Sequence, residues 1–567
     1  MENLIYCIKH CDSKLRTLFN KYNNENSLPL DKFYEVIRKY NLKDALQVIT
    51  SISQLIYRQG KSLNNFRPFG LVCNNNEILT TMSMLADVTY HLIISGANDK
   101  NNAKLSDNGF YNVIVLARLS HYHLNDKKYK EETFNIYNLL QILAKEQGQM
   151  QLPIVPAIAR NYVLFDKIVK SDWFYQKRSL VNKEVFTSFE QFLGMSFQEY
   201  FKITYLILAF LMYDKRKTLD PQILFELNID EKNFTFERIK NLIEYLSVSY
   251  QDFKSLANQT PGLNPLYKKP IIKFDDTRYG KYTCPNISIL FEKCWNGLFY
   301  DIEDHFKKDN PNKTIRDQFG YVFEEYVGLL LKETLPNINL RPELTYKRNG
   351  TSCDFFDWIL QYNRNGVEEY YLIEVKSSEV PTRYWYDKNL HEYYKKDIIG
   401  KLSKTIEKLD DINKIYELEF LRNKTIYPIF VFKDLPFVNS TIIKELLQSC
   451  TEDNSKLCEM IKNNSIYIFN IDTFENFTEM LKDNKFNIKW LFEEQYKSPG
   501  ENLNSIMQKQ YGKELLRNSY LASVFDDLFK DFLPSSLNKY LHSLNIPNRI
   551  SKVVKVPLDL KVEIKLH

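Results

Sequence analysis

The sequence contains no Cys-x-x-Cys pair. Its eight cysteines, Cys7, Cys11, Cys73, Cys284, Cys294, Cys353, Cys450 and Cys458, are scattered over 567 residues. That excludes a dense disulfide framework and points to the reduced thiols of a cytoplasmic protein. Cys7, His10 and Cys11 lie close on a presumptive helix, but they lack a partner pair at zinc spacing. His121 and His123 are expected to serve structure. Long apolar runs are missing too. The most apolar run, Ile203 to Tyr213, falls well below the roughly 20 residues that span a bilayer, so it reads as a buried core helix and no membrane is expected. Met1-Glu-Asn-Leu carries neither a basic n-region nor an apolar h-region, so no signal peptide is expected. Neither sign of charge dominates: 76 Lys+Arg against 71 Asp+Glu leave a formal net charge of +5, which argues neither for nor against a polyanionic partner. No repeat of fixed period supports a solenoid.

What the chain does have is an ordinary globular composition, 44% hydrophobic and 26% charged, at a length that suits three or four domains. Residues 1–258 read as an α-helical region. Helical spacing marks Leu30 to Tyr40, Asp44 to Tyr57, Glu77 to Ile94, Glu131 to Glu146 and Phe236 to Val248. Ser196-Phe-Gln-Glu199 is a capping box ahead of Phe201 to Met212. No recognisable chemistry lies in this region. Thr260 to Pro265 is a Pro/Gly boundary, and residues 259–300 hold an expected hairpin, Lys269 to Phe274 with Lys281 to Cys284, and a connecting helix. Residues 301–485 form the next unit. Residues 486–567 read as helices ending in a strand, where Val554, Val556, Leu558, Leu560, Val562, Ile564 and Leu566 alternate with mostly polar residues.

The chemistry concentrates between Asp354 and Lys376. Two apolar, aromatic-rich runs flank Asn363 to Gly366, the pattern of a β-hairpin with a short loop. In the second run Leu372, Ile373 and Val375 put apolar side chains on both faces, as in a strand covered on both sides. Glu374 and Lys376 then share one buried face. Desolvated charges need partners: the two could form a structural ion pair in the sheet, or a divalent metal held by Glu374 and an aspartate of the neighbouring strand would compensate them. Glu563-Ile564-Lys565 shows the contrast: it sits in a strand with one wet face, where solvent explains the charges. Upstream, a helix over about Ile315 to Glu333 carries Phe319, Val322, Phe323, Tyr326, Val327 and Leu330 at helical spacing. Gly320 and Gly328 stand one turn to either side of Glu324, so that backbone or phosphate could approach it. Arg383, Tyr384, Lys395, Lys396 and Lys401 belong to a run of cations interleaved with aromatics, suited to nucleic-acid binding. Leu390, Tyr394, Ile398, Leu402 and Ile406 recur every four residues there, which equally suits a packed helix whose lysines face water.

The order Phe323-Glu324, hairpin, Asp357-Trp358-Ile359-Leu360, then Ile373-Glu374-Val375-Lys376 resembles the PD-(D/E)XK nuclease superfamily. The Pro expected before the aspartate is absent. Asp354, which opens the first strand of the hairpin, and Asp357, which begins the Asp-Trp-Ile-Leu run, compete for its role, with Asp357 preferred, and Glu324 is preferred to Glu325 as the helix acid. The resemblance implies an α+β multidomain chain, in which the helical region precedes a restriction-endonuclease-like α/β/α domain with a mixed central sheet. It implies an endonuclease holding Mg²⁺ (or Mn²⁺) through Asp357 or Asp354 and Glu374, with Glu324 contacting a second metal or its waters. Lys376 would orient the nucleophile or stabilise developing charge. DNA rather than RNA is the implied substrate, antiphage defence the implied role, and a second copy or a partner defence subunit an open association. The competing class is a catalytically silent binding or scaffold protein on the same fold.

Overall fold

The structure, a computed structural model, describes residues 2–22, 28–59, 70–72, 78–123, 154–179, 181–213, 218–226, 234–260, 263–274, 281–335, 338–348, 350–364, 366–379, 398–434, 456–483, 485–498, 503–511 and 518–530. The helix expected at Glu131 to Glu146 and the strand expected at Val554 to Leu566 lie outside them. The chain is α+β, with a helical N-terminal region followed by a mixed sheet. Among the described residues no helix is long and apolar enough to cross a membrane.

Helices form where the apolar spacing demands them. In Leu42–Gln59, Leu42, Ala45, Leu46, Ile49, Ile52 and Ile56 are all buried, a stripe at intervals of three and four. The Ser196 capping box is present: its hydroxyl accepts from the Glu199 N–H at 3.2 Å, and Glu199 Oε2 accepts from the Ser196 N–H at 2.9 Å. The helix it starts, Phe197–Tyr213, buries residues around much of its circumference, from Phe201 to Leu211.

Three expected helices are shorter than their periodicity predicts, the first being Leu30–Ile37, which ends before Tyr40. Ile78–Thr81 is a strand paired with Gly70–Val72, and the helix begins only at Met82. The Thr81 hydroxyl accepts from the Met84 N–H at 3.2 Å, so β-branched residues and a cap override the apolar spacing before that point. Likewise Phe236–Tyr245 stops short, and Ser247–Ser249 pairs in parallel with Ile271–Lys273. The expected hairpin is there, Ile271–Lys273 antiparallel to Tyr282–Thr283. It is fastened to the helical region by a 2.8 Å hydrogen bond between the Thr50 and Thr283 hydroxyls.

A five-stranded sheet positions the site. Its strands in chain order are β1 (Asn339–Pro342), β2 (Trp358–Arg364), β3 (Val367–Glu379), β4 (Thr425–Asp434) and β5 (Tyr467–Asn470), arranged β5-β4-β3-β2-β1. β1, β2 and β3 are antiparallel neighbours; β4 and β5 run parallel to β3. Gly366 (φ 83°) supplies the left-handed residue that the tight β2–β3 turn requires. Trp358, Leu360, Tyr371, Ile373 and Val375 face the Arg316–Thr334 helix (Phe319, Phe323, Tyr326) and the Ile471–Met480 helix (Phe474, Phe477), in an apolar cluster that continues unbroken into the helical region. The alternate residues Ile359, Tyr370 and Leu372 pack on Phe355, Phe356, Leu418 and Leu421. Both faces are therefore covered, and burial of each such side chain contributes roughly 1.5–3 kcal/mol. A buried ion network crosses from the helical region to the Ile471–Met480 helix packed on the sheet: Arg160 reaches Asp472 at 2.6 Å and Glu475 at 2.9 Å.

One expectation about the hairpin needs correction. Asp354 does not open β2. It ends a short strand, Thr351–Asp354, paired with Thr345–Arg348 in a separate two-stranded ribbon. Phe355 and Phe356 are fully buried and break the extended run, so β2 opens after Asp357.

Candidate acidic site

The Arg316–Thr334 helix is pinned to β2 through a glycine. A Cβ at Gly328 would stand 2.1 Å from Trp358 Cζ2, so the absent side chain is what admits the indole. The indole N–H donates to the Glu324 carbonyl at 2.9 Å. Gly320 faces Ser377 Oγ, 3.5 Å from where its Cβ would be. The glycines flanking Glu324 thus face protein side chains, where the sequence suggested an approach by backbone or phosphate.

Asp357 immediately precedes β2, and its Oδ2 accepts from the Val375 N–H at 2.6 Å. The register Ile373–Trp358 brings Glu374 level with it, side chains on the face of Ile359 and Leu372. Burial pushes the Asp357 carboxyl well above the usual carboxylate range; Glu374 and Glu324 push it the same way, while Lys376 and the Val375 N–H pull against them. Glu374 is 4% exposed. Its Oε1 accepts from Lys376 Nζ and, at 3.1 Å, from the Thr405 hydroxyl. Its Oε2 is buried without a hydrogen-bond partner, the Lys408 ammonium standing 3.8 Å away. Lys408 itself donates to the Phe355 carbonyl at 2.7 Å. At Lys376 burial favours the neutral amine, yet the Glu374 and Asp357 charges outweigh it and hold the ammonium above its ordinary range.

Glu324 is held by Arg178, from the helical region. Burial pushes its carboxyl up to about 7; Arg178 and Lys177 pull it down while Glu343 and Glu325 add to the rise. Glu343 is raised by burial and then by Asp354. The structure therefore gathers Asp357, Glu374, Glu324 and Lys376, and Asp357 rather than Asp354 lies beside Glu374. Asp354 is exposed and accepts from the Thr345 hydroxyl at 2.8 Å. Glu325 faces Lys177, at 2.5 Å.

Arg383, Tyr384, Lys395 and Lys396 lie outside the described residues. Lys401 is exposed on the Gly400–Glu407 helix, whose Leu402 and Ile406 are buried, as the packed-helix reading of that stretch expects. Lys408, at the C-terminal cap of that helix, stands instead at the acidic site. Cys7 and Cys11 are buried, whereas His10 is exposed and bonds to the Tyr6 carbonyl of its own helix at 2.8 Å. His121 pairs with Asp87 at 2.7 Å. Sequence reasoning missed Arg178, Lys177, Glu343 and Thr405. None sits in a local pattern of its own; only the fold brings them in.

The donor set is all oxygen, which suits a hard cation such as Mg²⁺ or Mn²⁺. Glu374 Oε2, without a hydrogen-bond donor and beside a carboxyl raised by burial and by two like charges, fits such an ion. Among the described residues no three His, Cys, Asp or Glu side chains form a ready-made cation cage. No protein-family model, curated protein or solved structure matches the chain.

Proposed function

We propose that the acidic site hydrolyses phosphodiester bonds with a bound Mg²⁺ or Mn²⁺, acting on DNA, in a restriction-endonuclease-like α/β/α domain used in antiphage defence. The observation carrying this reading is that Glu374 and Glu324 both press on the Asp357 carboxyl, while Glu374 Oε2 is buried with no hydrogen-bond donor. Like charges held together out of water are costly unless a cation completes them. A mixed sheet covered on both faces agrees with the resemblance, and the defence role rests on that resemblance alone.

Asp357 and Glu374 would hold the ion, with Glu324 toward a second ion or its waters. When bound, the metal polarises the phosphate and supplies hydroxide near neutral pH. Lys376, kept charged by Glu374 and Asp357, orients the nucleophile or stabilises charge developing at phosphorus. Thr405 holds Glu374 Oε1, while Oε2 has no hydrogen-bond donor. Incubating labelled DNA and RNA in parallel with wild type and Lys376→Ala, with and without Mg²⁺, tests the reading. Mg²⁺-dependent cleavage of DNA by wild type alone is expected; no cleavage, or equal cleavage by the variant, overturns it.

One observation favours the silent scaffold: Lys376, Thr405 and Lys408 already compensate Glu374 from within the protein. A Mn²⁺ titration by calorimetry that shows no binding, or binding unchanged in Glu374→Ala, selects that reading.

A further inference from the structure

The helical region ends one of its helices against the acidic site. The Asp172–Lys177 helix is anchored by the fully buried Phe174 and stops at Arg178 (φ −121°, ψ 67°), whose N–H returns to the Phe174 carbonyl at 2.8 Å. Two consecutive cations are thereby aimed at the Arg316–Thr334 helix. Lys177 Nζ reaches Glu325 Oε1 at 2.5 Å and lies 4.9 Å from the Trp358 ring centroid. Arg178 donates from Nη2 to Glu324 Oε1 and from Nε to Glu325 Oε1 at 3.3 Å, with its guanidinium 4.8 Å from the Tyr321 ring centroid. Tyr321, Glu324 and Glu325 stand at i, i+3 and i+4 of one helix, so the guanidinium is held by an aromatic ring and two acids at once.

We propose that Arg178 is a positioning residue of the acidic site, holding the Glu324 carboxylate from the helical region, so that one centre is built by both parts of the chain. The inference rests on the metal-dependent reading above. A link between the two parts needs only the Lys177–Glu325 pair; Arg178 adds a fork that reaches the acid next to Asp357 and Lys376. A planar guanidinium can bridge two carboxylates while stacking on a ring, which an ammonium does less well. Its charge also opposes a divalent cation nearby. Removing it has two consequences of opposite direction: the site becomes more negative and binds a cation more tightly, while Glu324 loses its placement and turnover slows.

The full-length chain carrying Arg178→Ala or Arg178→Lys is titrated with Mn²⁺ by calorimetry, assayed on labelled DNA at saturating Mn²⁺, and melted. Arg178→Ala is expected to bind Mn²⁺ about three- to tenfold more tightly. Its kcat is expected to fall about tenfold or more with KM little changed. Arg178→Lys restores Mn²⁺ affinity to the wild-type value and recovers part of kcat. Unchanged or weaker Mn²⁺ binding by Arg178→Ala overturns the inference. So does an unchanged kcat, or a loss of turnover that only follows a fall in melting temperature and that lysine does not mend. Wild type that takes up no Mn²⁺ overturns the reading of the site and this inference with it. Wild type that takes up Mn²⁺ and cleaves nothing overturns the nuclease alone, and the two calorimetric affinities then decide the role of Arg178.

Discussion

Two glycines of the Arg316–Thr334 helix are expected to respond to alanine in opposite directions. A Cβ at position 328 would lie 2.1 Å from Trp358 Cζ2 and 2.5 Å from Cε2 and Cη2. Comfortable carbon contacts are about 3.5–4.0 Å, so the indole or the helix must move by more than about 1 Å. Overpacking of that kind costs about 1–3 kcal/mol. Displacing the indole also weakens its hydrogen bond to the Glu324 carbonyl, a further loss of about 1 kcal/mol. Against these stands the gain of about 1 kcal/mol from replacing a mid-helix glycine by alanine. Gly328→Ala should therefore destabilise by about 1–3 kcal/mol. At Gly320 the nearest atom is Ser377 Oγ at 3.5 Å, an ordinary contact, so Gly320→Ala keeps the helix gain and stabilises by about 0.5–1 kcal/mol. Urea unfolding followed by circular dichroism reads both. A Gly328→Ala midpoint at or above wild type would refute the packing of Trp358 into that gap.

Acidity should act on the metal-free protein in a definite direction. Glu324 at about 7, Glu475 also at about 7 and the raised Asp357 bind protons more tightly folded than unfolded. Their contribution is complete below the unfolded carboxylate range and is lost as pH rises through the folded values. The melting temperature should fall between about pH 5 and 8, and Glu324→Gln should flatten that slope. Mn²⁺ uptake near pH 6.5 should release protons, seen as heats that depend on the buffer. Arg160→Met leaves Asp472 and Glu475 buried with no counter-charge from Arg160 and should cost about 3–5 kcal/mol in a melt. Thr405→Val removes the 3.1 Å bond to Glu374 and should weaken Mn²⁺ binding about tenfold in calorimetry. Asp354→Ala, in contrast, should cleave DNA like wild type, because that carboxylate is exposed and occupied by Thr345.

The hairpin at the middle of the sheet was legible because its signals are local. Apolar, aromatic-rich runs on either side of Asn363 to Gly366 gave the hairpin, and apolar residues on both faces of β3 singled out Glu374 and Lys376. The pattern of residues alone did not separate the aspartates, since Asp354 and Asp357 flank the same two phenylalanines; the preference for Asp357 came from the resemblance. The choice is decided by where the strand breaks, which depends on the burial of Phe355 and Phe356. Arg178 was out of reach altogether: it stands 146 residues from the acid it holds, and no spacing rule connects them. The helix expected over Glu77 to Ile94 is present but starts later, at Met82, because apolar periodicity does not register the cap at Thr81.

Anomalous diffraction from a Mn²⁺-soaked crystal tests the central claim most directly. A peak is predicted about 2.1–2.3 Å from both an Asp357 oxygen and Glu374 Oε2, with Asp354 outside its coordination sphere. An empty position there, or a peak that instead takes Asp354 as its ligand, would contradict it.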